Sequence, residues 1–487
     1  MKRRILPVVL AGPLALAACS TGVPEQYTNE TLGFQAIADQ TQNAIGTRTA
    51  FARSQTQNEA LSQEVRELVL GKTISADTAV QAALLNNKGL QAAYARAGLS
   101  AAEVWQQMTP ENPVVSLGLF GIGAPELGLY RALESTIAVN LLDTRTRKQR
   151  IAVAKAQFQQ AQLAAVQETL MLAGETRRAW INSVAAFERL SYLRKARETA
   201  DASAELASQL GKTGALNKAG QAREFAFQAE LAGQVARARL EASLAKEELT
   251  RLMGLWGGDA RYYVPDALPA LPRSLPRVAS IEAAALQNRV DLKVAQIGLE
   301  AQARAFGLTD QTRLVTDLEL IAGFEAERER QDGATHTDTR PQLELEFAIP
   351  IFDQGKARMR KAELSYMQAA NQLAERAVNV RSEARSAELA YHASFEIAQH
   401  YRDVVLPLRK SIEEEGLLSY NGMITNTFEL LTDLRDRLSS ALQAANAKRD
   451  FWLAQANVNT AIYGGGAGSA ALRDPGAEIA SGGSPAH

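Results

Sequence analysis

Cys19 is the only cysteine among 487 residues, and it follows Leu16-Ala17-Ala18. A thiol behind two small residues, which fit a peptidase slot, is placed to carry a diacylglycerol. Its solitude excludes an intramolecular disulfide and any cysteine-based metal cluster. The other side chains with catalytic potential are scattered. His392 and His400 fall on roughly one helical face, and His336 and His487 stand apart. No HExxH and no carboxylate-histidine cluster accompanies them, which favours a surface or lumen position over a metal site. Gly118-x-x-Gly121-x-Gly123 and Gly464-Gly465-Gly466 lack the strand-glycine-helix setting and the following Lys-Ser/Thr of a phosphate loop. The methionines form no Met-x-x-Met cluster. No nucleophile stands beside a base. The expectation is a chain that is not an enzyme and uses no cofactor and no metal, its one modification being a covalent lipid, such as palmitate-containing diacylglycerol, on Cys19.

The elements around these residues say where they work. Lys2, Arg3 and Arg4 precede a short apolar stretch, Ile5 to Leu16, broken by Pro7, Gly12 and Pro13. It is too short to span a bilayer and reads as a signal peptide over 1–18. Leu16-Ala17-Ala18-Cys19 then looks like the lipobox of a bacterial lipoprotein. Ser20, where an Asp would favour retention at the inner membrane, points to the outer membrane. Lys and Arg number 53 against 54 Asp and Glu, which gives no electrostatic case for nucleic acid. With 46% hydrophobic residues but only 6% aromatic ones, the composition is that of long helices and coiled coils. No apolar run reaches the length of a transmembrane helix.

Thr144 to Lys212 has no proline and two glycines, Gly174 and Gly211. It predicts one helix about 100 Å long at 1.5 Å per residue. Gln354 to Leu418 predicts a second, with a kink or local break at Pro407. Shorter helices are predicted at Ser75–Gln107, Leu216–Leu255, Ser280–Thr309 and Ile424–Ile462, with a weak one at Ala50–Val69. Ahead of each long helix the period changes to two. Val115, Leu117 and Leu119 alternate with small residues, as do Ile137, Val139 and Leu141; Leu318 and Leu320 alternate with Glu319 and Ile321, and Leu343 to Ile349 with Glu344, Glu346 and Ala348. These predict four strands of about 8 to 11 residues, paired across loops at Gly121–Glu134 and Arg328–Arg340. Four amphipathic strands cannot close a barrel, and open edges cannot sit in lipid. Either they form a small soluble sheet, or several copies of the chain pool them.

The chain also repeats itself. Ala83-Leu84-Leu85-Asn86-Asn87 returns as Ala285-Leu286-Gln287-Asn288-Arg289, Val139 to Asp143 as Ile349 to Asp353, and Leu210 to Gly214 as Leu418 to Gly422. Three landmarks in one order mean a duplicated unit of roughly 205 residues. The expected organisation is a lipid-anchored segment over 19–72, one repeat over 73–256, a Pro-rich linker over 257–279, a second repeat over 280–463 and a flexible tail over 464–487.

From about Thr73 to Gly464 the chain resembles the TolC-like outer membrane efflux family. The marks are the duplicated order of helices and hairpin, the Ala-Leu-x-Asn passage in each half and Ile349-Pro350-Ile351-Phe352-Asp353-Gln354-Gly355. Tyr420-Asn421-Gly422 leading into Phe428-Glu429-Leu430-Leu431 is a further one. The resemblance implies a mainly helical chain with internal duplication. Three copies would build a 12-stranded transmembrane β-barrel and a long periplasmic helical tunnel. It implies a homotrimer in outer membrane lipid, a periplasmic adaptor, and an inner-membrane pump supplying energy. The implied function is a passive exit duct of a tripartite efflux or secretion system. By position, Tyr420 falls where the family has a gate-linking tyrosine and Glu429 where it has an inward acid. Three copies of Glu429 would form a carboxylate ring that filters ions. Two departures stand out. The family's second acid is replaced by Thr432, with Asp433 one place on, and the first half carries Gln221 opposite Glu429, with no clear acid at its gate position. The tip turns Gly214-Ala215-Leu216 and Gly422-Met423-Ile424 are where an adaptor would dock; glycine there also serves the turn itself. The alternative is a lipid-anchored coiled-coil structural protein of the envelope, which requires no membrane strands. The exported substrate is not written in the residues.

Overall fold

In the computed structural model, residues 23–29, 31–123, 130–214, 216–275, 280–331, 334–422 and 427–464 are described. Cys19, the signal segment, Ala215, Met423, Ile424 and the tail beyond Gly464 lie outside them. The chain divides into two compact units, and each draws on both sequence repeats. The first comprises residues up to Gln35, Ala95–Leu163 and Lys293–Glu375. The second comprises Ala36–Tyr94, Ala164–Leu292 and residues from Arg376 onward.

The helices in chain order are α1 (Glu25–Thr28), α2 (Phe34–Ile45), α3 (Gln55–Val69), α4 (Ala76–Asn86), α5 (Lys88–Met108) and α6 (Leu141–Lys212). They continue with α7 (Lys218–Leu252), α8 (Ile281–Asn288), α9 (Val290–Gln311), α10 (Lys356–His400), α11 (Leu406–Asn421) and α12 (Thr427–Tyr463). The expected long helix α6 starts three residues early, because the Asn140 side chain accepts the Asp143 amide at 2.9 Å and caps it. The second long helix is interrupted, as Pro407 predicted. Tyr401–Val405 form a π-helical turn immediately before α11. Proline lacks an N–H and crowds the carbonyl one turn back, and the wider turn absorbs both effects.

Two expected single helices are each broken at one residue. Asn87 and Arg289 both adopt φ near −60° with ψ 121°, separating α4 from α5 and α8 from α9. The breaks occupy duplicated positions and use different chemistry. Asn87 caps the next helix through the Leu90 amide (3.1 Å) and donates to the Leu252 carbonyl (3.0 Å). Asn86 donates to the Gly254 carbonyl at 2.7 Å. The passage thus closes the C-terminus of α7, whose carbonyls would otherwise lack partners. In the second repeat the break is held instead by a buried cation: Arg289 is forked onto Asp291 (2.9 and 2.7 Å) and paired with Glu383 at 2.5 Å.

The first unit carries the sheet, built from β1 (Val114–Phe120), β2 (Ala132–Asn140), β3 (Leu318–Gln331) and β4 (Ala334–Phe347), antiparallel in the order β1-β2-β3-β4. Two expectations are corrected. The expected loop at Arg328–Arg340 is strand in its described residues, 328–331 and 334–340: the ladder runs on through Glu325↔Arg340 and Arg330↔Thr335. Its polar residues read as loop, yet the backbone ladder continues through them, with Glu325 opposite Arg340 and Glu327 opposite the like-charged Asp338. Conversely β4 stops at Phe347 and not Ile349, because the Ile351 amide turns back to the Ile349 carbonyl around Pro350. Beside the sheet, Tyr27, Ala101, Val104, Met108, Ala154 and Phe158 form a core. The N-terminal segment joins this core: Tyr27 meets Phe158 edge-on with ring centroids 5.6 Å apart.

In the second unit, Leu190, Leu193, Ala200, Leu231, Val235, Ala238 and Ala242 pack α6 on α7 through small residues that let the axes approach. The first part of the Pro-rich segment is laid down as well. Tyr263 bridges to Thr73, and Tyr262 is fully buried, its hydroxyl 3.0 Å from that of Thr250.

Candidate functional site: a two-faced sheet and the helical turns

The register of the sheet sorts its side chains. Val115↔Ile137, Ile137↔Ala322 and Ala322↔Leu343 form one row across all four strands. Val139↔Leu320↔Leu345 and Leu318↔Phe347 continue that face, and Leu119↔Leu133↔Ala326 extends it at the other end. The opposite face carries Glu134, Glu319, Glu325, Glu327, Asp338, Glu344 and Glu346, with Arg340 opposite Glu325. From Leu318 to Ala326 one side is thus apolar apart from Ser135 and Thr339, the same side carries Arg328 and Arg330 farther out, and the other side is strongly acidic. From Leu318 to Ala326 the apolar face spans about 27 Å along the strand, or about 20 Å if tilted as in membrane barrels, which is close to the apolar band of such barrels. The face is not buried: Val115, Leu117, Ile137, Leu343, Leu345 and Phe347 are all exposed. Among the described residues β1 and β4 each keep one unpaired edge. A soluble sheet would cover the apolar face or interrupt it. Among the described residues no helix is long and apolar enough to cross a membrane.

The helical turns lie in the second unit. After α6, Gly214 takes φ +76°, and the Leu216 amide reaches back to the Leu210 carbonyl at 3.2 Å, which satisfies the helix end. Asn217 caps α7 by accepting the Gly220 amide at 2.7 Å. Gln221, expected at the gate, is half-buried and folds back, donating to the Leu216 carbonyl at 3.1 Å. Its amide occupies the space where a Cβ on Gly211 would stand, which explains a glycine inside that helix. Gln221 therefore braces the turn.

One turn further along α7, Glu224 is 5% exposed. It accepts the Ser203 hydroxyl at 3.1 Å and faces the Arg435 guanidinium at 3.8 Å. Arg435 in turn lies over the Phe227 ring at 4.2 Å. The first half thus carries a buried acid one turn beyond the expected gate position, which itself holds Gln221. In the duplicated register Gln221 answers Glu429 and Glu224 answers Thr432. Each half keeps one acid, at opposite ends of a single helical turn. Phe227 also answers Arg435, so the cation stacks on its own counterpart. Comparing only the first position of each pair missed Glu224; the same register read one turn further finds it.

Glu429 is exposed in the first turn of α12, where the helix dipole favours a carboxylate. Asp433 follows one turn on, half-buried. Tyr420 is in the last turn of α11, and Gly422 donates its amide to the Leu418 carbonyl at 2.9 Å. Further pairs stitch this end. Arg409 meets Asp436 and the Ser440 hydroxyl, both at 3.1 Å, and Arg437 pairs with Glu413. Farther along α12, Lys448 donates to buried Glu188 at 3.1 Å, and the Leu268 amide donates to the same carboxylate at 3.0 Å. Among the described residues no three histidine or carboxylate side chains gather as a metal site.

The architecture is that of TolC-like outer membrane channels. The chain aligns with the outer-membrane channel OprN at TM-score 0.66 and 19% identity, over 86% of this chain and 94% of that one. It aligns with the Campylobacter jejuni CmeC outer membrane channel at 0.62 and 18%, over 86% and 89%. With the open state of the Neisseria gonorrhoeae MtrE outer membrane channel the values are 0.62 and 15%, over 82% and 89%. No protein-family model matches the chain, and no curated protein sequence does.

Proposed function

We propose that this chain is a passive exit duct of the outer membrane, serving an efflux system. The observation that carries the reading is the sheet: four strands, one apolar face, one acidic face and two open edges. In lipid every backbone donor and acceptor must be paired, so the edges of β1 and β4 require other strands. Three copies supply twelve strands, enclose the acidic face around water and turn the apolar face to lipid. The fold shared with outer membrane channels supports the same conclusion. The helices would extend the conduit into the periplasm. Energy would come from an inner-membrane pump through a periplasmic adaptor docking at the Gly214–Leu216 and Gly422–Ile424 turns. The protein performs no chemistry on its cargo.

In this reading Cys19 carries a lipid anchor, and Cys19→Ala abolishes fatty-acid incorporation without preventing assembly, since the barrel is itself an anchor. Glu429, with Asp433 and Tyr420 nearby, belongs to the gate, and the Glu224–Arg435 pair ties the first repeat's helix to the second's beside it. Crosslinking of the detergent-solubilised protein tests the whole. A trimer with heat-modifiable β structure supports the duct. A stable monomer without it leaves the envelope rod, whose weakness is that it gives the exposed apolar face no role.

A further inference from the structure

The junction between β4 and α10 holds apolar side chains out in solvent by construction. The Ile351 amide bonds the Ile349 carbonyl at 2.8 Å, forming a tight turn at Pro350. Asp353 accepts the Gly355 amide at 2.8 Å. Gly355, at φ +71°, lies so close to Arg313 that an added Cβ would be 2.7 Å from that residue's carbonyl oxygen, and Arg358 donates to the same oxygen at 3.1 Å. These contacts pin the junction onto Arg313. Phe352 is left 97% exposed, with Ile349, Ile351, Leu314 and Val315 exposed around it. Exposed cations lie at the junction, Arg313 and Lys356, and just beyond it in α10, Lys361. Arg358 and Arg360 are engaged with Asp353 and Glu363.

The first repeat provides a comparison within the same unit. Arg147 donates to the Met108 carbonyl as Arg358 does to Arg313. There, however, Asn140 caps α6 directly, and Leu141 and Leu142 are half-buried. The tether is shared, and the exposed apolar wedge belongs to the second repeat alone.

We propose that this junction is a phospholipid contact, with Ile351 and Phe352 entering the acyl region and Arg313, Lys356 and Lys361 engaging anionic headgroups. The inference rests on the membrane reading of the sheet. The wedge begins two residues beyond Phe347, where the apolar face ends, so it continues the lipid-facing band to the interface. An aromatic ring at the interface with cations just beyond it is the arrangement by which proteins hold a fixed depth in a leaflet. Bare apolar side chains beside exposed cations match lipid tails beside phosphate. A second copy of the chain could bury the ring but would have to neutralise the three cations as well.

The test uses full-length protein in a Cys19→Ala background, with a bromine-quenchable fluorophore on Phe352→Cys or, separately, on Leu117→Cys. Each is reconstituted in brominated phosphatidylcholine, alone or mixed with brominated phosphatidylglycerol. Quenching at Leu117 reports a strand in lipid and so tests the barrel by itself. The proposal predicts quenching at Phe352 too, with a preference for phosphatidylglycerol of about fivefold per engaged cation. That preference should fall towards one in Arg313→Gln/Lys356→Gln/Lys361→Gln, while quenching at Leu117 persists. Quenching at Leu117 without any at Phe352, as burial by a neighbouring copy would give, overturns the proposal and leaves the barrel standing. Quenching at Phe352 with no headgroup preference also overturns it. Loss at both positions refutes the membrane reading and the proposal together.

Discussion

The Glu224–Arg435 pair makes an asymmetric prediction. The two partners are unequally placed: Glu224 is nearly buried, whereas the Arg435 side chain keeps about a third of its surface in water. At 3.8 Å, and an effective dielectric constant of about 20, the gross attraction is about 4 kcal/mol. Most of this is offset by dehydrating the carboxylate, so the net coupling is about 1 kcal/mol. Arg435→Met strands a buried carboxylate with only the Ser203 hydroxyl and should cost about 3 kcal/mol. Glu224→Gln retains an acceptor for Ser203 and leaves a guanidinium that water can reach, and should cost about 1 to 2 kcal/mol. The assay is amide hydrogen exchange over Ser203–Gln228 and Asp433–Ser440 in the assembled protein, which reads local opening free energies. The double variant should be less destabilised than the sum by about 1 kcal/mol. Additivity within a few tenths of a kcal/mol, or a Glu224→Gln cost equal to that of Arg435→Met, would refute the reasoning.

Other outcomes follow from named contacts. Burial pushes the Tyr262 phenol up to about 12, against the opposing pull of the Thr250 hydroxyl. The unfolded phenol ionises near pH 10, so between about pH 10 and 12 the unfolded chain binds fewer protons and stability falls, by about 2 to 3 kcal/mol in all. Alkaline unfolding curves of Tyr262→Phe should show a shallower loss over that window, and an unchanged slope would refute the assignment. Gly211→Ala places a methyl where Gln221 sits; despite the usual helix gain of about 1 kcal/mol, it should lower thermal stability, and Gln221→Ala in the same chain should restore it. A stabilising Gly211→Ala would show that the brace is dispensable. Single-channel recordings of Glu429→Gln should show reduced cation selectivity and reduced block by multivalent cations, with Glu346→Gln changing that block far less. Parental behaviour of Glu429→Gln would remove that residue from the gate.

The strands were readable because a buried or lipid-facing sheet writes itself in a period of two. Leu343 to Phe347 alternates cleanly, and the register confirms that one face takes every second residue. The outer ends of β3 and β4 were not readable, since Glu325, Glu327, Asp338 and Arg340 have loop-like composition and reveal a strand only through their pairing. α6 was visible in the absence of proline over its length, but its cap at Asn140 was hidden inside a strand pattern. The breaks at Asn87 and Arg289 leave the helical periodicity almost undisturbed, because a single extended residue shifts the phase only once. The duplicated Ala-Leu-x-Asn passage marked the place without saying what happened there. At the helical turns, sequence position located Gln221 and Glu429 but not what Gln221 touches: a side chain bound to its own turn and one pointing away have the same letter. Glu224 was legible in the repeat register and became a partner of Arg435 only through packing.

The central claim is that the sheet has lipid on one face and water on the other. Single cysteines placed in turn at Leu343, Glu344, Leu345 and Glu346, in a Cys19→Ala background, test it directly through alternate labelling in reconstituted vesicles. The account predicts that cysteines at 344 and 346 react with a membrane-impermeant thiol reagent, while those at 343 and 345 resist it and are reached by a lipid-soluble reagent. Equal reaction of all four with the impermeant reagent would place both faces of the sheet in water and contradict the duct.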